Sequence, residues 1–299
     1  MEWGGCDSSS SLAQIAASDG FPTAFQNPSI STYILTTNDH TTFSDCNTKK
    51  YLNPSFYTTA NTAAITQEYQ NLAMYLYQTY KGTNKKFIIS NWEGDNDLYC
   101  GAAYAYATDP SYKSWCDSTY SSKYNGNASV SDSISGMSKW LTARDNGIRN
   151  AQALASAQGL SGVSVNSSAE FNIVHALKDN GFKSMLYDVL PGVGADYNSY
   201  SSYESINQAN PGAVLASDLQ IARGLVGNVI VGEFGFNRDT LGAATAEANL
   251  KTVADAIKNS GIQYGIIYQL FDQPVSDNGL FGLFTSDGTA TGLFGAISN

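Results

Sequence analysis

The stretch Lys86-Phe-Ile-Ile-Ser-Asn-Trp-Glu-Gly-Asp95 decides the fold class of this chain. A short apolar run ends abruptly in polar and acidic residues, which is the pattern of a buried strand that stops at the edge of its sheet. The pattern recurs at Asn228-Val-Ile-Val-Gly-Glu233, where a strand again ends in a glutamate. Both stretches therefore predict buried strands with a carboxyl group at their carboxyl ends.

Six strands of this kind are predicted, and stretches with apolar residues three or four positions apart lie between them. The strands are Thr32–Thr37, Lys86–Ser90, Gly162–Asn166, Ala195–Tyr200, Asn228–Glu233 and Tyr264–Gln269. The helices are predicted near Ser11–Ser18, Thr62–Tyr80, Ser131–Ala157, Ile173–Leu186, Gly212–Leu225 and Ala243–Asn259. Alternation of apolar strands with helices predicts a parallel sheet covered by helices, and so an α/β fold.

Two architectures fit an alternating pattern, the (β/α)8 TIM barrel and the doubly wound open sheet. The open sheet normally carries a glycine-rich phosphate loop after its first strand, and the sequence shows none. A barrel takes roughly 250 residues, and the chain has 299. We therefore expect one barrel domain that comprises residues 1–299.

The composition excludes several classes of partner. The formal net charge is −10 with only 14% charged residues, and there is no basic run. Nucleic acid and anionic membranes are therefore not expected as partners, and no apolar run reaches transmembrane length. A polar, weakly charged surface with 19 tyrosines suits a neutral, hydroxyl-rich carbohydrate ligand, because an aromatic ring can stack on sugar C–H groups. We expect a monomer.

Four cysteines and two histidines bound the metal and redox chemistry. The cysteines allow three pairings; Cys100 with Cys116 would close a short loop and leave Cys6 with Cys46. No C-x-x-C pair occurs, so a zinc site is not expected. No motif supports nicotinamide or ATP chemistry either, and no metal or cofactor is expected. Paired cysteines and few lysines predict an extracellular location, although Met1 leads directly into Glu-Trp-Gly-Gly-Cys6, which is not a signal-peptide pattern.

The two strand-end glutamates, Glu93 and Glu233, are the candidate catalytic residues. Parallel barrels keep their active sites at the carboxyl ends of the strands, and a charge placed there is costly unless it has a use. Glycoside hydrolysis needs two carboxyl groups across the scissile bond. Four other carboxyls near strand ends compete for these roles: Glu170, Asp95, Asp196 and Asp272. Asp95 is the strongest substitute acid among them.

The chain resembles the large clan of barrel glycosidases that includes cellulases, mannanases, xylanases and β-glucosidases. The resemblance rests on the two strand-end motifs and on Ile267-Tyr-Gln-Leu-Phe-Asp272, followed by Gly279-Leu-Phe-Gly-Leu-Phe-Thr-Ser-Asp-Gly288, which is similar to the eighth strand and its turn. Counting back places Glu233 after the seventh strand and Glu93 after the fourth. The resemblance thereby implies a retaining enzyme with Glu233 as nucleophile and Glu93 as acid/base.

The resemblance also implies supporting residues around the two glutamates. Asn91 is expected to hold a sugar hydroxyl, although Trp92 separates it from Glu93, whereas in much of the clan the asparagine directly precedes the acid. Either Tyr200 or Tyr203 is expected to donate a hydrogen bond to the nucleophile. Tyr268 stands where tryptophan is commoner. The substrate-binding set is therefore Asn91, Trp92, Asp95, Tyr200, Tyr203, Tyr268 and Asp272.

Numbering the strands back from the eighth makes Thr32–Thr37 the third, with only 31 residues before it. These residues contain no convincing strand, so we expect a barrel that is truncated at the N-terminus and lacks its first one or two strands. Such a barrel would leave a sheet edge exposed. A carbohydrate-binding barrel with impaired catalysis is therefore the alternative function. A serine hydrolase is disfavoured, because the Gly-x-Ser-x-Gly elbow is missing.

Overall fold

A computed structural model describes residues 10–18, 20–43, 49–124, 129–273 and 279–298. Cys6 and Cys46 lie outside this range, so their expected pairing is not described. Six strands are present in the described residues, and each neighbours the strand that precedes it in the chain, in the order β1-β2-β3-β4-β5-β6. They are β1 Thr32–Thr36, β2 Lys85–Ser90, β3 Val163–Phe171, β4 Tyr197–Ser201, β5 Val229–Phe234 and β6 Gly265–Ile267.

Helices follow most of the strands. They are α1 Leu12–Ala16, α2 Gly20–Gln26, α3 His40–Phe43, α4 Thr59–Tyr80, α5 Gly94–Leu98, α6 Ala103–Thr108, α7 Pro110–Lys123, α8 Val130–Ala157, α9 Ala176–Asp179, α10 Tyr203–Ile206, α11 Pro211–Val226, α12 Arg238–Leu241, α13 Ala243–Asn259 and α14 Gly292–Ser298. Single 3₁₀ turns occur at Lys50–Leu52, Pro54–Phe56 and Leu190–Gly192, and a π-helical turn occurs at Met185–Val189.

The chain divides into two compact units. The first contains the described residues up to Glu170 together with His175–Asn198, and the second contains Phe171–Val174 and the described residues from Ser199 onward. The expectation of a single domain stays a prediction.

The first unit is built on the parallel strands β1, β2 and β3, with Thr32 opposite Lys86 and Lys85 opposite Val163. The long helices α4 and α8 pack against each other. A Cβ atom added at Gly147 of α8 would lie 2.3 Å from the Thr66 carbonyl oxygen of α4. Glycine at this crossing therefore allows the two helix backbones to approach closely.

The helices α5, α6 and α7 form an insertion between β2 and α8. A disulfide joins Cys100 to Cys116, which is one of the pairings that the sequence left open. Tyrosine side chains fill the interior of the insertion: the rings of Tyr120 and Tyr124 stack 4.2 Å apart, and Tyr99 lies 4.5 Å from Tyr106. The insertion thus has its own small aromatic core, which the disulfide stabilises by closing a loop.

The second unit contains the parallel pair β5 and β6, with Val231 opposite Gly265. The helices α11 and α13 pack together, and a Cβ at Gly212 would lie 2.6 Å from the Thr252 carbonyl oxygen. The buried positions of α13 are Ala246, Leu250, Val253 and Ile257. They lie three or four residues apart, so one apolar stripe faces the core.

The structure confirms the α/β class, the parallel pairing and all six predicted strands, and it shows no full eight-stranded barrel among the described residues. The helix predicted over Ile173–Leu186 is confirmed only in part. The structure has α9 and the start of the π-helical turn at Met185 in this range. The chain is not helical between them, because Gly181 adopts φ +77° and its N–H caps α9 by bonding to the Lys178 carbonyl. β3 is also longer than predicted, so Glu170 lies on that strand, not after it.

Candidate active site

Glu93 lies at the carboxyl end of β2 in the first unit. The strand is apolar and buried through Phe87, Ile88 and Ile89, and the chain then leaves it to enter α5 at Gly94. Glu93 is only 8% exposed. The Asn96 side-chain amide donates a hydrogen bond to Glu93 Oε2, and Asn96 is itself oriented because its Oδ1 accepts the Ala103 N–H at 2.8 Å. The carboxyl group of Glu93 is therefore held in one orientation.

The main chain of Glu93 is held as well. Its N–H donates to Glu170 Oε1 at 3.0 Å, and the N–H of Glu170 donates to Asn91 Oδ1 at 3.1 Å. Asn91 is buried, and its Nδ2 donates to the Trp92 carbonyl at 3.0 Å. The Asn91 amide is thus engaged within the protein, and its expected contact with a sugar hydroxyl stays a prediction.

A buried arginine contacts Asn91. Arg144 of α8 donates through Nη1 to Asn91 Oδ1 at 3.3 Å, and its guanidinium lies 4.7 Å from the Trp140 ring and 5.2 Å from the Tyr69 ring. Such cation–π contacts stabilise a buried cation. The Trp140 Nε1 donates to the buried Asp39 at 2.8 Å. Burial raises the pKa of Asp39, and the positive charge of Arg144 opposes that rise.

Asp95 and Trp92, which are close to Glu93 in the sequence, have different environments. Asp95 is fully buried and accepts the Met185 N–H at 2.7 Å, so it fixes the π-helical turn of the first unit. Trp92 is 40% exposed and offers an open aromatic surface beside Glu93. Of these two predicted substrate-binding residues, only Trp92 presents its side chain to solvent.

Glu233 lies near the carboxyl end of β5 in the second unit and is half-buried. The Tyr203 hydroxyl donates to Glu233 Oε1 at 2.9 Å. Burial raises the pKa of Glu233, whereas the hydrogen bond from Tyr203 lowers it, because that bond favours the charged form. The backbone is fixed in addition, since the Ser202 N–H donates to the Glu233 carbonyl at 2.9 Å.

The two tyrosines that were predicted as partners of the nucleophile differ in environment. Tyr200 is fully buried, stacks on Phe171 with ring centroids 4.8 Å apart, and bonds through its hydroxyl to Ser205 Oγ at 2.6 Å. Tyr203 is the tyrosine whose hydroxyl reaches Glu233. Tyr200 is a strand residue and Tyr203 begins α10, and their hydroxyls contact different partners, Ser205 and Glu233.

Tyr268 follows β6 and lies close to Glu233. Burial raises the pKa of Tyr268, and the negative charge of Glu233 raises it further. The Tyr268 N–H donates to the Phe234 carbonyl at 2.8 Å, and a Cβ at Gly235 would lie 2.0 Å from the Tyr268 carbonyl oxygen. Only glycine therefore permits this close approach between the ends of β5 and β6.

Asp272, the last of the predicted binding residues, is buried and engaged within the second unit. It forms an ion pair with Arg238 and accepts the Gly282 N–H at 2.7 Å. The ion pair connects the segment after β6 to α12, which follows β5, and the bond from Gly282 closes a turn within the segment after β6. Asp196, one of the competing carboxyls, accepts the Ser167 N–H at 2.9 Å. Its carboxyl group is therefore bonded to the main chain of β3.

Sequence reasoning missed Asn96 and Arg144. Asn96 could have been found from its spacing, because residues three apart on a helical turn lie on one face, and Glu93 and Asn96 have that spacing. Arg144 lies on α8, 53 residues from Asn91. No local pattern links the two, so only the fold reveals the contact.

Neither a metal cluster nor a membrane span is found in the parts of the chain that the structure describes. No group of three or more histidine, cysteine, aspartate or glutamate side chains there could hold a metal ion. None of the described helices is both long enough and apolar enough to cross a membrane.

No family model matches the chain, and no curated protein matches it. Among similar solved structures is an exo-β-1,4-mannosidase from Opitutaceae bacterium strain TAV5, with 13% identity and a TM-score of 0.43 over 91% of this chain and 52% of that one. This chain thus spans about half the length of that mannosidase. A plant β-glucan endohydrolase has 14% identity and a TM-score of 0.36, over 94% of each chain. At these identities the likeness assigns neither substrate nor mechanism to this chain.

Proposed function

We propose that this protein is a retaining glycoside hydrolase that acts on a β-linked polysaccharide or oligosaccharide. The observation that carries the proposal is the hydrogen bond from Tyr203 to Glu233 at the end of β5. A phenol that donates to a half-buried carboxyl stabilises its anionic form, and a nucleophile must be ionised to attack. Glu93 at the end of β2 supplies the second carboxyl group that the reaction needs.

The proposed reaction has two steps. In the first, a carboxylate oxygen of Glu233 attacks the anomeric carbon, the glycosidic C–O bond breaks, and the proton of Glu93 passes to the departing oxygen. In the second, Glu93 accepts a proton from water as that water attacks the anomeric carbon, and the bond to Glu233 breaks. The sugar is released with its original configuration, and both carboxyl groups return to their starting states.

The environments of the two carboxyl groups support this division of roles. Glu233 has a hydroxyl donor that favours its charge. Glu93 is more deeply buried, and the Asn96 amide holds its carboxyl group in one orientation, as a group that must deliver a proton to one oxygen requires. Trp92 and Tyr268 are proposed as sugar-stacking surfaces, because each keeps part of its ring accessible.

The proposal includes an extracellular, monomeric enzyme with a carbohydrate substrate and no cofactor. The Cys100–Cys116 disulfide supports an oxidising location. The two steps together use only the two carboxyl groups of the chain and one water molecule, which enters in the second step. Size-exclusion chromatography with light scattering tests the monomer, and a mass near 32.0 kDa is expected.

Reducing-sugar release from β-glucans, mannans, xylans and galactans tests the proposed activity. The parent is compared with Glu233→Gln and with Asp255→Asn, a control that removes an exposed carboxylate on α13. Release by the parent and the control, but not by Glu233→Gln, supports the proposal. A folded parent that releases no sugar contradicts it; retention of that parent in gels containing one of these polymers would then support the carbohydrate-binding alternative.

A further inference from the structure

A third carboxyl group, that of Glu170, lies beside Glu93 in the first unit. Glu170 is the penultimate residue of β3 and is only 8% exposed. Burial of a carboxyl group is costly unless hydrogen bonds compensate for the lost hydration. The two-step reaction proposed above gives this side chain no task, so its position at the end of a strand calls for a separate explanation.

Hydrogen bonds run in both directions between the ends of β2 and β3. Glu170 Oε1 accepts the N–H of Glu93 at 3.0 Å, and the N–H of Glu170 donates to the Asn91 side chain at 3.1 Å. Each strand end thus supplies a side-chain acceptor for a main-chain donor of the other. Neither bond belongs to the regular ladder of the sheet, which pairs Ile89 with Ser167 as its last partners.

The side chain of Arg144 stabilises the two strand ends that this pair of hydrogen bonds joins. Arg144 donates to Asn91 Oδ1 at 3.3 Å and to the Ser168 carbonyl of β3 at 3.5 Å, so one guanidinium contacts both strand ends. The approach of the two chains is close: a Cβ at Gly94 would lie 2.9 Å from the Glu170 carbonyl oxygen. The main chain at Glu93 is therefore held against β3 by Glu170 and cannot shift without breaking these contacts.

We propose that Glu170 is a positioning residue that orients Glu93 for proton transfer, an inference that rests on the proposed function. The bond from an N–H to a carboxylate is stronger than one to a neutral acceptor, and it fixes the main-chain end of Glu93. Asn96 fixes the carboxyl end of the same side chain. A general acid is effective only when it lies within hydrogen-bond reach of the leaving oxygen, and small displacements lower the rate.

A positioning role predicts an effect that depends on the leaving group. A poor leaving group such as phenol needs protonation as it departs, whereas 2,4-dinitrophenolate departs without it. Aryl β-glycosides of the sugar released in the polymer assay are therefore the probes, and kcat/KM is the readout because it reports the first step. Glu170→Ala should lower kcat/KM about tenfold to a hundredfold for the phenyl glycoside. The loss for the dinitrophenyl glycoside should be below about threefold, since acid catalysis contributes little there.

Glu170→Gln is the conservative variant. Its amide oxygen can still accept the Glu93 N–H, so it should recover most of the loss that Glu170→Ala shows with the phenyl glycoside. If Glu170→Ala does not fold, Glu170→Met replaces it, because methionine has a similar volume and no oxygen acceptor. An equal loss on both glycosides, no loss with phenol, or a Gln variant as impaired as the Ala variant would each overturn the positioning role.

A separate pair of measurements distinguishes failure of this inference from failure of the proposed function. Glu93→Ala is assayed on the dinitrophenyl glycoside with and without azide, which can replace water as the nucleophile in the second step. Acceleration by azide supports Glu93 as acid/base, and the Glu170 variants then decide the inference alone. Without any acceleration, the assignment of Glu93 itself fails and the inference fails with it.

Discussion

The surroundings of Glu93 and Glu233 differ in how strongly they constrain a carboxyl group. Glu93 is held at its main chain by Glu170 and at its carboxyl end by Asn96, with Arg144 braced behind them. Glu233 is half-buried, and among the described residues its side chain accepts a hydrogen bond from Tyr203. The environment of Glu93 fixes the direction of its carboxyl group, and the environment of Glu233 adjusts the charge of its carboxyl group. This difference fits the proposed roles, because an acid must aim a proton and a nucleophile must stay ionised.

The largest expected effect comes from a substitution of Glu233 itself. Glu233→Gln keeps the shape of the side chain but removes the attacking carboxylate, so we expect kcat to fall by roughly a thousandfold or more. Reducing-sugar release measures the loss, and circular dichroism checks the fold. Activity within about tenfold of the parent in a folded variant would rule out Glu233 as nucleophile.

The second effect concerns the brace behind Glu93. Arg144→Met removes the guanidinium from its contacts with Asn91 and Ser168, so we expect the free energy of unfolding to fall by about 2–4 kcal/mol. Urea denaturation measures this change. The matched control is Arg223→Met, which removes an exposed arginine that donates to the Ser260 carbonyl at 2.6 Å and should cost less than about 1 kcal/mol. Equal losses in the two variants would contradict a special role for the buried arginine.

The third effect concerns the hydrogen bond by which Tyr203 favours the charged form of Glu233. Tyr203→Phe removes the donor that lowers the pKa of Glu233, while the burial that raises this pKa remains. The acidic limb of kcat/KM against pH reports protonation of the nucleophile. It should therefore move to higher pH by roughly one unit, since a hydrogen bond to a charged group contributes about 1.5 kcal/mol or more. A limb that stays in place or moves to lower pH would contradict the role of Tyr203.

The smallest effect is on stability. The pKa of Glu233 is raised in the folded protein, so the contribution of this carboxyl group to stability is greatest while it is protonated and falls as the pH rises through the raised pKa. Glu233→Gln, which is neutral at every pH, should therefore have a higher Tm than the parent at pH 7. The difference should vanish below pH ~4.5, near the ordinary pKa of glutamate. Scanning calorimetry at pH 4 and pH 7 checks both points; a Tm of the variant below that of the parent at pH 7 would refute the expectation.

Local patterns in the sequence predicted all six strands correctly. Five of the six predicted helical regions are also present in the structure. They failed between Ile173 and Leu186, where apolar spacing favoured a continuous helix. The backbone instead turns at Gly181 with φ +77°. A positive φ costs little at glycine, and the spacing of apolar residues does not report it. The end of β3 was missed for a similar reason, because Ser167, Ser168 and Glu170 are polar residues on a strand that is buried on both faces.

The candidate site shows the same division. The sequence identified Glu93 and Glu233, because a carboxyl group that follows a buried apolar strand is visible in the order of residues alone. It left Tyr200 and Tyr203 as equal alternatives. It also gave Asn91 and Asp95 a role in binding sugar, although their side chains make hydrogen bonds within the protein.

The sequence by itself determined the α/β class, the order of strands and helices, and the two glutamates at strand ends. These features follow from burial and periodicity within short stretches of chain. Only the tertiary structure decided which tyrosine reaches Glu233, and that Glu170 and Asn96 hold Glu93. The Glu93–Glu170 contact joins residues 77 positions apart. Such a hydrogen bond depends on distances and directions of a few tenths of an ångström, which are set only when the strands have paired and packed.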